Sequence, residues 1–106
     1  IKNYYEGISR FEFKDLCDQN LGAEDYLEIA KVSEFIVIEN IPQFSDNNSN
    51  QQQRFITLLD VIYDKNIPIA VTANQNLSQF TSSQSLESQF KRTISRLHEL
   101  TSIGHK

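Results

Sequence analysis

The sequence has no methionine and no tryptophan, and only one cysteine, two prolines and three glycines among 106 residues. The lone cysteine, Cys17, excludes an internal disulfide and a cysteine-rich zinc site. Gly7, Gly22 and Gly104 lie far apart. A glycine-rich phosphate loop needs closely spaced glycines so that successive backbone N–H groups can face the anion, and this stretch holds none. The longest uninterrupted apolar run is four residues, Phe35 to Ile38, too short for a membrane-spanning helix or the apolar segment of a signal peptide. A basic excess is missing too. Ten Lys and Arg against fourteen Asp and Glu give a net charge of -4, which argues against a nucleic-acid partner. The absence of methionine even at position 1 leads to the expectation that the chain is a piece of a longer protein.

What is present suffices for a modest core. Apolar residues make up 39% of the chain, and apolar periodicity persists through most of it, so the composition does not reach disorder. Isoleucine outnumbers valine twelve to four, and Asn plus Gln number eighteen, a bias that an AT-rich genome produces.

Residues 1–7 read as a frayed lead-in, and Ile8 to Phe13 alternates apolar and polar, the period of a half-buried strand. Asp15 to Asn20 reads as a turn-rich connection. Over Ala23 to Val32 the residues Ala23, Tyr26, Ile29 and Ala30 share one helical face, with acidic residues near the N-terminus. Phe35-Ile-Val-Ile38 is short, continuous and β-branched, as in a strand buried on both faces of a parallel sheet. Gln43 to Gln53 is polar and reads as a loop in which Asp46, Ser49 or Asn50 could cap a helix. Between Gln52 and Asp64, Phe55, Leu58, Leu59 and Ile62 form a helical stripe, closed by Lys65-Asn66. Ile67 to Ala73 is a second apolar strand. A helical turn around Leu77 to Phe80, a Thr/Ser/Gln loop at 81–85 and a final helix over 86–101 complete the reading. Strand, helix and strand with short joints predict an α/β chain built on a parallel, right-handed βαβ unit. No repeat or linker divides it.

The last helix holds Arg92 and Arg96, at i and i+4. Phe90, Ile94 and Leu97 fall within about 60° on a helical wheel, with the two arginines near the opposite side. They are therefore expected to project together away from the core, where two guanidinium forks could grip a phosphate or a pair of carboxylates. The competing reading is a solvated helix face with Glu99 as a weak intrahelical partner. Glu39 and Asn74 follow the two apolar strands, where ligands of open α/β sheets gather; they could hold a metal-bound water or a phosphate, or simply cap loops. His98 and His105 are too sparse for a metal-ligand set, and Cys17 has no adjacent base.

Five blocks in this chain resemble one family. They are Phe11-x-Phe13-x-x-Leu16-Cys17, Gly22-Ala23-x-Asp25-Tyr26-x-x-Ile29-Ala30, Ile41-Pro42, Arg54-Phe55-Ile56-x-Leu58-x-Asp60-x-x-Tyr63-Asp64, and Phe90-x-Arg92-Thr93-x-Ser95-Arg96-Leu97-x-Glu99. In order and spacing they are similar to the ZapE-type P-loop ATPases, bacterial relatives of the mitochondrial ATPase-family-gene-one (lactation-elevated) proteins. The likeness covers about residues 10–102. Leu100 stands where the family usually has Met, and the 44–53 loop is unusually rich in amides.

The resemblance implies that residues 1–106 are the C-terminal α/β portion of an AAA-like ATPase, a P-loop/RecA-like core piece with flanking helices. The Walker A and B segments would lie upstream. ATP and Mg would belong to the parent protein, and this portion would bind neither tightly. Arg92 and Arg96 become candidates for a sensor or arginine-finger role, with Asp25, Tyr26, Arg54, Asp60 and Tyr63 as motif positions. The resemblance further implies a homo-oligomer, a division or quality-control protein as partner, and a bacterial cytoplasmic location, with peripheral membrane attachment left open. The alternative is a non-enzymatic assembly module that meets a protein partner through the 43–53 loop and the acidic 24–28 face.

Overall fold

Two parallel strand–helix–strand steps run through the chain, one more than the sequence predicts. The structure, a computed structural model, describes residues 3–5, 7–17, 21–73 and 80–102. Its elements are strands β1 (Asn3–Tyr5) and β2 (Ile8–Glu12), helices α1 (Phe13–Cys17) and α2 (Ala23–Val32), strand β3 (Phe35–Ile41), helix α3 (Ser49–Lys65), strand β4 (Ile69–Ala73) and helix α4 (Glu87–Ser102). The sheet order is β1-β2-β3-β4. The β1–β2 pair is antiparallel, while β2–β3 and β3–β4 are parallel.

Register explains the layering. Ser9 pairs with Ile36 and Phe11 with Ile38, and the same residues of β3 pair with Ile69 and Val71 of β4. These side chains face the helices; Ser9, Phe11, Ile36, Ile38 and Ile69 are buried. Strands that follow one another in a single direction with right-handed crossovers place successive helices on the same side. Accordingly α3 packs between α2 and α4. Its stripe Phe55, Ile56, Leu58, Leu59 and Ile62 is buried. Each such side chain contributes about 1.5–3 kcal/mol of burial. Ser9 Oγ lies 2.6 Å from Ser33 Oγ, which in turn donates to Ile29 O, so this buried hydroxyl pair closes the end of α2.

Several boundaries differ from the sequence reading, each for a local reason. Residues 3–5 form an edge strand, joined to β2 through Gly7 at φ 90°. A Cβ there would come within 3.0 Å of the Glu34 carboxylate, so the position suits glycine alone. The predicted turn at 15–20 is in part α1, a single helical turn too short to show periodicity. Strand β3 runs to Ile41 through a bulge, with Asn40 at φ 64°. Helix α3 begins at Ser49, inside the stretch expected to be a loop, and Asn48 stands at its N-cap. Ser45 instead caps the 3-10 turn Asp46–Asn48. Asn66 does close α3 in the left-handed conformation, its N–H bonded to Ile62 O and Tyr63 O. Apart from Phe80, the turn expected around Leu77 lies outside the described residues.

Candidate functional site

The two arginines of α4 differ in their contacts. Arg96 Nη1 donates to Asp60 Oδ1 of α3 at 2.5 Å, and its guanidinium carbon lies 4.7 Å from the centre of the Tyr63 ring. The Tyr63 hydroxyl bonds Glu99, and that bond holds its pKa above the ordinary value. Asp60, Tyr63, Arg96 and Glu99 thus form one seam between α3 and α4. Arg92 is exposed and has no ion pair or hydrogen bond to the described residues. The reason lies in the width of the buried arc. Thr93 and Leu100 are buried as well as Phe90 and Leu97, which shifts the arc toward the arginines. On a 3.6-residue wheel Arg96 stands about 40° from Leu100 and Arg92 about 80° from it. One side chain therefore sits at the margin of the helix contact and the other beyond it.

An open groove of about 680 Å³ runs beside α4, lined by Phe80, Thr81, Ser82, Phe90, Lys91 and Ile94. Glu87 also lines it, so Lys91 is offset by a carboxylate and the groove carries no cationic excess for an anion; Arg92 is not among its lining residues.

At the carboxyl ends of the strands, Glu39 is bound by Arg10, whose Nη2 donates at 2.7 Å and Nε at 3.0 Å to Oε2. This pair holds the Arg10 pKa above its usual value. Asn40 donates through its side chain to Glu12 and through its backbone N–H to Thr72 Oγ1. Asn74, expected to stand beside Glu39, lies outside the described residues. Beneath this polar rim the helix side is filled by aromatic rings. Phe44 is the hub, with ring centroids 5.6 Å from Phe13, 5.7 Å from Phe55, 6.3 Å from Phe80 and 5.3 Å from Phe90. Two loops are stitched above them. Gln43 accepts from Thr81 N, Asp46 from Gln84 N, and the wholly buried Gln52 bonds Ser82 Oγ and Ser83 N. The buried Gln52 went unrecognised in sequence because an amide within a polar run gives no burial signal.

The remaining motif positions hold helix ends. Asp25 accepts from Gly22 N at 2.9 Å, closing the start of α2. Tyr26 donates to Leu16 O at 2.8 Å, and Arg54 Nη1 donates to Cys17 O at 3.1 Å. Both carbonyls belong to the last two residues of α1, where a cation is electrostatically favoured. Burial pushes the Cys17 thiol up to about 12 and raises the Tyr26 phenol as well. Cys17 is therefore a packed, protonated thiol at neutral pH, not a nucleophile.

Among the described residues no group of three or more His, Cys, Asp or Glu could hold a metal ion. Of the described helices, none is long and apolar enough to cross a membrane.

The chain is 33% identical over 93 residues to Lactation elevated protein 1 homolog B of Danio rerio, covering 88% of this chain and 18% of that protein. It is 26% identical over 90 residues to the cell division protein ZapE of Escherichia coli K12, covering 85% of this chain and 24% of that protein. The chain thus spans a quarter or less of the length of these relatives. No solved structure matches it. The model of the AFG1-like ATPase family matches residues 1–105. By that match the chain belongs to the AFG1-like ATPases.

Proposed function

We propose that this chain is the C-terminal α/β unit of an ATP-hydrolysing protein of the P-loop class, inactive alone, in which Arg92 meets the nucleotide phosphates. Arg96 is a positioning residue that sets α4 against α3. The observation carrying this reading is the division between the two arginines. Arg96 is held by Asp60 and Tyr63, while Arg92 stands exposed with its donors unengaged by the described residues. A guanidinium presented from a helix fixed at its next turn is preorganised to stabilise charge on a transferring phosphoryl group. The phosphate loop, the Mg-binding carboxylate and the nucleotide pocket belong to other segments or to a neighbouring subunit of a homo-oligomer. A relative bears the name of a cell division protein, which favours a division protein as the partner.

The test is the whole protein. Its sequence upstream of Ile1 is expected to carry G-x-x-x-x-G-K-[ST], and the purified protein is expected to hydrolyse ATP in the presence of Mg, whereas residues 1–106 alone show no turnover. A whole protein without that motif, or with the motif and no turnover, contradicts the reading.

A further inference from the structure

One polar residue interrupts the buried stripe of α3. Gln52 stands three and four residues before Phe55 and Ile56 and seven before Leu59, and it is wholly buried with them. An apolar side chain would fill that place as well, but it would hold the neighbouring segment at no particular rotation. The amide is selective. Its Nε2 donates to Ser82 Oγ at 2.7 Å, and its Oε1 accepts from Ser83 N at 3.1 Å. Ser82 Oγ continues the network by donating to Ser83 O at 2.8 Å, the same carbonyl that accepts from Leu86 N at 3.3 Å. Ser83 is the N-cap of the 3-10 turn Gln84–Leu86, which runs directly into α4 at Glu87. The buried amide therefore grips the residue from which the last helix starts.

We propose that Gln52 is a positioning residue for Arg92, an inference that rests on the reading of Arg92 as the phosphate contact. Arg92 stands six residues past Leu86 and four before Arg96, about 9 Å and about 6 Å along the helix axis. Its place is set from both ends of one helical rod. Toward the carboxyl end the tether is the Arg96–Asp60 contact, whose side chains are partly exposed. Toward the amino end Asp46 accepts from Gln84 N and Gln43 from Thr81 N, both at the surface. Of these tethers Gln52 is the one shielded from water. When a surface bond is lost, water replaces it, whereas a buried donor left unpaired forces the segment to move until it finds a partner. A guanidinium serves a transferring phosphoryl group only at a fixed short distance, and a misplacement of about 1 Å costs up to about a hundredfold in rate. Gln52 touches no reacting atom and acts through the place of α4.

The experiment measures ATP turnover of the full natural protein carrying Gln52→Met, Arg92→Ala or both. Methionine is unbranched and close to glutamine in size, so it keeps the stripe filled while removing both hydrogen bonds. Gln52→Met is expected to lower kcat about tenfold while KM for ATP changes by less than about twofold. In the Arg92→Ala background it is expected to lower kcat no further, because the residue through which it acts is gone. Tyr26→Phe also removes a buried hydrogen bond, but at α1, and is expected to leave kcat unchanged at a similar loss of Tm. Ser82→Ala removes the partner of Nε2 and repeats the cycle should Gln52→Met fail to fold. An unaltered kcat in Gln52→Met beside a lowered one in Arg92→Ala overturns the proposal and leaves the reading of Arg92 standing. Losses that multiply in the double variant, or an equal fall of kcat in Tyr26→Phe, overturn it too. Full turnover in Arg92→Ala is a different failure and removes the phosphate-contact reading itself.

Discussion

Arg96 and Asp60 tie α4 to α3 through a guanidinium–carboxylate contact of 2.5 Å, and the same guanidinium lies over the Tyr63 ring. Their side chains are 28% and 49% exposed, so the pair is partly screened by solvent. A partly exposed ion pair contributes about 0.2–1 kcal/mol, and a cation over an aromatic face about 0.5–1 kcal/mol more. Arg96→Ala is therefore expected to cost about 1–2 kcal/mol in urea unfolding, and Asp60→Ala about half as much. Their double-mutant cycle should give a coupling that shrinks as salt is added. Strictly additive losses would show that the contact carries nothing.

Phe44 touches four other phenylalanines and is fully buried, which makes it the most connected aromatic residue of the core. Phe44→Ala should cost about 3–5 kcal/mol, whereas Phe80→Ala, at a half-buried position, should cost less than half of that. Thermal or urea unfolding of the two variants checks the order. Equal losses would contradict the assignment of Phe44 as the hub.

Tyr26 and Arg54 cap the final carbonyls of α1 from two different helices. Tyr26→Phe keeps the ring and removes one buried hydrogen bond, so a loss of about 0.5–1.5 kcal/mol is expected. The effect should concentrate in α1, and amide exchange at residues 13–17 should quicken more than exchange in α3. Uniform acceleration across the chain would argue against a capping role.

Alkaline pH should unfold the protein through Cys17 and Tyr26. Burial raises the Cys17 pKa from 9.0 to about 12 and also raises that of Tyr26 above 10.0. Below pH 9 both states hold the thiol proton and stability is complete. Between 9 and 12 the unfolded chain has lost the proton that the native state retains. Stability then falls with rising pH, by up to about 1.4 kcal/mol per pH unit for each such group. Urea midpoints measured from pH 7 to 11 should decline from about pH 9 onward, and in Cys17→Ala the decline should begin nearer 10. A flat profile would contradict the burial of the thiol.

Much of the fold was legible because it rests on local chemistry. The stripe from Phe55 to Ile62 announces α3, Asn66 announces its end, and Phe35 to Ile38 announces a strand of a parallel sheet. Only Ile36 and Ile38 of that run are buried, and Phe35 and Val37 are half-buried, so the expected burial on both faces is not met. Helix α1 was not legible, since five residues give no period, and neither was the first turn of α3, whose amides mimic a loop. The candidate site was legible only in part. Periodicity placed Arg92 and Arg96 on one side of α4, but their separation depends on where α3 crosses that helix. Asp60 and Tyr63 show their part only after two distant helices are packed. The apolar character of Phe35 and Val37 was readable, yet the direction of the helix layer, which leaves their side without a helix among the described residues, is a property of strand order.

The division of labour between Arg92 and Arg96 is tested most directly by ATP turnover and melting temperature, measured together on the full-length protein. Arg92→Ala is expected to lower kcat by about a hundredfold or more with Tm unchanged, the size expected when one preorganised donor to a phosphoryl group is lost. Arg96→Ala is expected to lower Tm, and Arg96→Lys to restore part of it. Full turnover in Arg92→Ala, or a Tm for Arg96→Ala equal to that of the unaltered protein, would contradict the assignment of phosphate contact to one arginine and helix positioning to the other.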